Sequence, residues 1–240
     1  DRNYFMSWTK ALFKKEIDNI ISCELKKRSY KKKSRLYFKK LSLTYADISY
    51  QITLNDCQKT EVGFHFWGTI SLDEINNFLK RFYKDDRNFF PIMTGNIGLF
   101  TPANTNKSYY FNWERDYTEQ LNKFLLDLSY FESLVENIKE VKDLSLDNLK
   151  KIPFIRKNFS EGLSKNYKFC HPSVEAAINF LNGNFEEAIL LAKEQVKNDI
   201  ISLKASFGLS DEGKKQLERE LQYSENLLAF FESMYKNKNG

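Results

Sequence analysis

The sequence predicts an α+β fold: an N-terminal helix packed on an antiparallel β-meander, followed by a mainly α-helical C-terminal half. Three observations predict it. Apolar residues recur at steps of three and four up to Leu25, alternate singly between Ile48 and Ile70, and return to helical spacing from Glu114 onward. A division near residue 113 follows, with an α+β region over 1–113 and a helical region over 114–240. No glycine- or proline-rich linker separates them, so a shared core is compatible with the pattern.

In the first helix, Trp8, Leu12, Phe13, Ile17, Ile20, Ile21 and Leu25 fall on one face, Ser7 is a reasonable N-cap, and the end is expected near Arg28–Ser29. The stretch SRLYFKKLSL reads as a strand with Leu36 and Phe38 in the core. In DISYQITL, Ile48, Tyr50, Ile52 and Leu54 point one way. In EVGFHFWGTI, Val62, Phe64, Phe66 and Ile70 share a face opposite His65, Trp67 and Thr69. The intervening TYA and NDCQKTE are short enough for hairpin connections. Ser71 and Glu74 form a capping-box pattern that opens a helix with Ile75, Phe78, Leu79 and Phe82 inward. Residues 85–112 read as turn-rich, with Thr94-Gly95-Asn96 as a turn and one or two further strands. A long helix carries Tyr117, Leu121, Phe124, Leu125, Leu128, Phe131 and Leu134. A shorter one after Ser145 is limited by Pro153. Two helices joined by Asn182-Gly183-Asn184 follow, then a last helix from about Ser210 to Tyr235.

Apolar residues make up 42% of the 240, too many for a disordered chain. No run of about 18 uncharged apolar residues exists, so a membrane span is not expected. Cys23, Cys57 and Cys170 are odd in number and far apart, which reads as a reducing, cytoplasmic setting. No signal peptide is readable, and a start at Asp1 rather than Met fits a trimmed chain.

Motifs for chemistry are lacking. There is no phosphate-binding or dinucleotide glycine loop, no nucleophile elbow, and no His/Cys spacing for zinc, so no catalytic residue, metal or cofactor is assigned. His65 reads as a solvent-facing or cross-strand residue, and the adjacent Cys170-His171 as two side chains pointing apart. The acidic pairs Asp73/Glu74, Glu186/Glu187 and Asp211/Glu212 sit at predicted helix starts, where the macrodipole favours them. Gly183 to Ala188 resembles the start of a second tetratricopeptide helix, but without a repeat it reads as a lone helical hairpin.

The charge is concentrated. Nine of the 37 basic residues lie within 26–40, with no acidic residue among them, and the 28 elsewhere face 32 acidic ones. Lys26, Lys27 and Arg28 suit a helix C-terminus, and Lys39 and Lys40 suit an exposed sheet edge. Lys31, Lys32, Lys33 and Arg35 decorate a connection and a strand start. They are the candidate contact residues, for an acidic protein or, with Tyr30, Tyr37 and Phe38 interleaved, for nucleic acid. A third class is an enzyme with a loop site in 85–112, where Asn88, Phe89, Thr94, Asn104, Tyr109, Tyr110 and Trp113 crowd.

The order LKKRSYKKK, LYFKK, ISYQITL, GFHFWGTI, over about residues 10–70, resembles the bacterial family called domain of unknown function 4304. Ser29-Tyr30 stands where that family has Gly-Phe, and Trp67-Gly68 where it often has Leu-Gly. The resemblance implies a bacterial α+β protein without an established activity, some relatives lying in toxin–immunity neighbourhoods. With the motif-poor sequence, it leads to an expectation of non-catalytic protein binding, possible in an immunity-like role, with nucleic-acid binding through 26–40 as the alternative.

Overall fold

The computed structural model describes residues 2–54, 61–83, 90–103, 105–112, 115–145, 148 and 171–239. It has the predicted class: an N-terminal helix, an antiparallel meander and a mostly helical C-terminal half. By contacts the chain forms two compact units, residues 1–70 with 94–137 and residues 71–93 with 138–240. The sequence suggested a single cut near residue 113. Instead, the helix after residue 117 belongs with the sheet, and the one after residue 72 belongs with the C-terminal helices.

The first unit is built on α1 (Arg2–Lys27), β1 (Lys31–Lys33), β2 (Leu36–Leu41), β3 (Thr44–Leu54), β4 (Glu61–Leu72), β5 (Met93–Asn96) and β6 (Tyr109–Asn112), closed by α3 (Thr118–Asn137). The strand order is β1-β2-β3-β4-β5, and β6 also pairs with β4. Helix α1 starts before Ser7, so Ser7 lies inside it rather than capping it. Among the described side chains its buried stripe is Phe13, Ile17, Ile21 and Leu25, and Leu12 is 47% exposed; the predicted Trp8 side chain lies outside those described. The helix ends in a Schellman motif: the Tyr30 N–H donates to the Leu25 carbonyl and the Ser29 N–H to that of Lys26. This places Ser29 at a φ of 70°, a conformation glycine would adopt more readily.

Lys31–Lys33 form a strand, not the connection the sequence suggested, and TYA is part of β3 rather than a link. The β1–β2 and β2–β3 loops are the two-residue Ser34-Arg35 and Ser42-Leu43. Each has its first residue at positive φ, the hairpin pattern matched to strand twist. Thr94-Gly95-Asn96 lies within β5, and the turn follows it as the 3-10 segment Ile97–Phe100.

One sheet face is packed by the helices. Tyr37, Ala46, Ile48, Val62, Phe64, Phe66, Ile70, Tyr109 and Phe111 are buried there, with Phe124, Leu128 and Phe131 of α3. Phe66 lies at the centre, stacked on Phe124 at 3.9 Å between ring centroids and edge-on to Tyr109. Gly68 permits close helix approach: a Cβ there would sit 2.6 Å from the Phe131 ring. A buried carboxylate completes this layer. Asp127 accepts from Lys107 Nζ at 2.7 and 2.9 Å and from the Tyr109 hydroxyl at 2.5 Å. The Asn96 side chain holds Lys107 in turn, accepting from its N–H and donating to its carbonyl.

The second unit holds α2 (Asp73–Leu79), α4 (Pro172–Leu181), α5 (Phe185–Lys204) and α6 (Asp211–Asn239). Its centre is aromatic: Phe231 stacks on Phe78 and Phe180, and the Arg81 guanidinium lies over the Phe78, Phe82 and Phe230 rings. The α4–α5 link turns at Gly183, φ 84°, as a second Schellman motif. Ser71 does not cap α2. Pairing carries β4 through Leu72, which is the N-cap, and the buried Ser71 hydroxyl accepts from Asn76 instead. The predicted helix after Ser145 lies, apart from Asn148, outside the described residues.

Candidate functional site

The period of two in β4 puts Val62, Phe64 and Phe66 against the helices and turns His65, Trp67 and Thr69 to the other side of the sheet. The register extends that second face across neighbouring strands. Lys31 pairs with Phe38 and Phe38 with Asp47, Asp47 bonds Thr69, and the Thr94 hydroxyl donates to Thr69 at 3.4 Å. Lys33 pairs with Leu36 and Leu36 with Ser49, while Tyr110 lies opposite Gly63. Among the described residues no helix of the first unit packs here. Leu36 is 46% exposed, and Trp67 and Tyr110 are each 43% exposed.

This corrects the reading of β2. Leu36 and Phe38 share a face, as their spacing requires, but it is the open one, and Tyr37 between them enters the core. Three adjacent apolar residues carry no alternation, so the sequence left both orientations open. Tyr37 wins the buried side because its ring stacks with Tyr50 and lies under the Lys32 ammonium, 5.2 Å from the ring centroid.

The nine clustered cations separate accordingly. Arg28 Nη1 donates to Glu132 at 2.5 Å and Lys39 Nζ to the same carboxylate at 3.4 Å, which ties both to α3. Lys27 pairs with Glu24, and Lys40 donates to the Tyr45 hydroxyl at 2.8 Å. Of the predicted contact residues, Lys31 and Lys33 lie on the open face, Lys32 on the helix side, and Arg35 in the exposed hairpin loop between β1 and β2. Lys31, Lys33 and Arg35 carry no ion pair among the described residues. The structure therefore places Lys31 and Lys33 on one face with Leu36, Trp67 and Tyr110, which were not singled out as contact residues, and Arg35 in the adjoining loop. A sequence signal for Trp67 existed: a large aromatic on the polar side of an alternating strand.

Asp47 sits mid-row on this face. Burial raises its carboxyl from the ordinary 3.8 to about 6, partly offset by the Thr69 hydrogen bond. The folded state thus keeps a proton that the unfolded chain has released, so stability from this group is fully present below pH 3.8 and is lost as pH rises to 6. Asp47→Asn is expected to raise stability at pH 7.5 by about 1 kcal/mol, after discounting a partly exposed group for solvent screening. The two proteins should converge near pH 4 in urea melts run across that range, and parallel pH profiles would contradict this.

The other predicted positions do not gather. His65 Nδ1 meets the Ser108 hydroxyl at 3.0 Å, a cross-strand role, and the His171 side chain accepts from the Ser173 N–H as the N-cap of α4. Of the 85–112 group, Tyr109 faces the core while Thr94 and Tyr110 lie on the open face; Asn88, Phe89, Asn104 and Trp113, like Cys57 and Cys170, lie outside the described residues. Among the described residues no cluster of metal-ligating side chains occurs, and no helix is long and apolar enough to cross a membrane.

In the second unit an open groove of about 350 Å³ lies along α5 and α6, and four of its polar side chains pair with one another, Lys193 with Glu232 and Tyr235 with Glu186. The α5–α6 turn carries an exposed aromatic, Phe207, at 95% exposure, and Leu190 and Ile201 of α5 are exposed as well. No family model matches the chain, and no curated protein or solved structure matches it either.

Proposed function

We propose that this protein acts by binding another protein, without catalysis, through the open sheet face of its first unit. The single observation that carries this reading is the exposure of Leu36, Trp67 and Tyr110 on one face of a sheet whose opposite face is packed by helices. Rigid aromatic side chains lose little entropy on contact, which is why Trp and Tyr dominate binding energy at interfaces. An immunity-like inhibitory role is the form of the proposal that the resemblance of residues 10–70 favours. A cytoplasmic, bacterial setting belongs to the same proposal.

Nucleic-acid binding is the second reading, since lysines and aromatics share the face. The carboxyl of Asp47 in the middle of that face, and the pinning of Arg28 and Lys39 by Glu132, weigh against a phosphate track.

Truncating Trp67 and Tyr110 is the test. Both are surface residues, so Trp67→Ala with Tyr110→Ala should leave the melting midpoint nearly unchanged. Affinity for a co-purifying protein should fall by about 2 kcal/mol or more, roughly thirtyfold. A variant that keeps full affinity would remove the reading.

A further inference from the structure

We propose that the partner on this face is an acidic protein: its carboxylates meet Lys31, Lys33 and Arg35 while an apolar side chain seats on Leu36, Phe38 and Trp67. This rests on the protein-binding reading and specifies its partner. Three observations carry it.

The cations are placed at one end of the face. Lys31 and Lys33 stand on the edge strand directly across from Phe38 and Leu36, and Arg35 lies in the loop that joins them. All three are exposed and lack an ion pair among the described residues, whereas Arg28, Lys39 and Lys27 of the same sequence stretch are neutralised by Glu132 and Glu24. An unneutralised trio in the densest basic segment of the chain sets up a positive rim, which speeds encounter with an acidic surface and repels basic ones.

The apolar part lies within reach of that rim. Leu36 and Phe38 are the immediate cross-strand neighbours of the two lysines. Thr69 bonds Asp47, and Trp67 stands two residues before it on the same face. Two strand spacings separate β2 from β4, about 10 Å. A single protein segment can therefore touch the rim and the indole together. A central apolar contact with charges at its border is the usual anatomy of a protein interface.

Nucleic acid fits less well. Leu36 offers no π-face to a base, and Asp47 would place a carboxylate beside the phosphates, in the row between Phe38 and Thr69.

The experiment uses the full chain with Trp8→Phe and Trp113→Phe, so that Trp67 is the sole indole. It is titrated by fluorescence with an alternating Glu-Leu peptide, its Lys-Leu counterpart and a single-stranded RNA oligonucleotide. The Glu-Leu peptide should give a saturable change in Trp67 emission. Its affinity should fall by about tenfold or more in Lys31→Glu/Lys33→Glu/Arg35→Glu. It should fall likewise between about 0.05 M and about 0.5 M NaCl, as charge contacts are screened. No response to the Glu-Leu peptide, an equal response to the Lys-Leu peptide, or tighter binding of the RNA would each overturn the proposal. The two readings fail separately. If Trp67→Ala abolishes the native complex but the triple charge reversal leaves it intact, the acidic partner is wrong and the binding face stands. If Trp67→Ala has no effect on that complex, the binding face itself is wrong.

Discussion

Phe66→Ala is expected to remove about 3–5 kcal/mol of folding stability, the largest loss for any single truncation in the first unit. Phe66 is fully buried, stacked on Phe124 at 3.9 Å, edge-on to Tyr109 at 5.5 Å, and in ring contact with Tyr50 and Phe64. Removing it leaves a void among side chains from β3, β4, β6 and α3, which cannot all collapse inward because the sheet register holds the strands apart. Phe66→Leu retains most of the volume and should lose less than about half as much. Urea denaturation of the two variants checks the ordering. Equal losses would mean that the α3–sheet contact is not the centre of this core.

Asp127→Ala should lower stability by about 3 kcal/mol by a different route. The substitution leaves the Tyr109 hydroxyl, buried on the core side, without its acceptor, and an unsatisfied buried donor costs about 1–3 kcal/mol. Burial is the main cause that holds the Tyr109 phenol above its ordinary range, and it persists when the Asp127 carboxylate is gone, so the phenol cannot ionise to escape. Lys107 also loses its carboxylate, but its side chain is 31% exposed and recovers part of its solvation. Asp127→Asn keeps an acceptor for Tyr109 and should recover about half of the loss. Amide exchange in residues 105–108 should quicken in the alanine variant, because Lys107 fastens that segment to α3 while Asn96 fastens it to β5. Thermal melts showing Asp127→Ala as stable as Asp127→Asn would contradict this account of the cluster.

What could be read from the sequence depended on whether a local pattern and the long-range contacts agreed. In β4 they did: strict alternation over Val62–Ile70 identified both faces, including the outward Trp67. The acidic pairs at 73/74, 186/187 and 211/212 did fall in the first turns of helices. In β2 there was no alternation to use. Leu-Tyr-Phe is apolar in every position, and the choice of Tyr37 for the core came from its stacking on Tyr50, a residue of β3. Ser71 shows sheet pairing overriding a helix-start signal, since β4 continues one residue past it. Strand β1 had no legible signal at all, because Lys-Lys-Lys shows no apolar period and owes its place to backbone pairing with β2.

The same limits applied to the candidate site. Lys31 and Lys33 were legible as charges, but not as charges sharing a face with Leu36 and Trp67, because that depends on two registers. The Asp127–Lys107 pair, twenty residues apart on different elements, carries no sequence signature.

The central claim is that the open sheet face is where a partner binds, and site-specific photocrosslinking in native cells tests it most directly. A photoreactive phenylalanine analogue at Tyr110 reports on that face. The same analogue at Leu126, exposed on α3, and at Phe207, in the α5–α6 turn, reports elsewhere. The account predicts a discrete protein adduct at Tyr110, lost on addition of Trp67→Ala, and none at Leu126 or Phe207. Adducts at Phe207 or Leu126 with none at Tyr110 would contradict it.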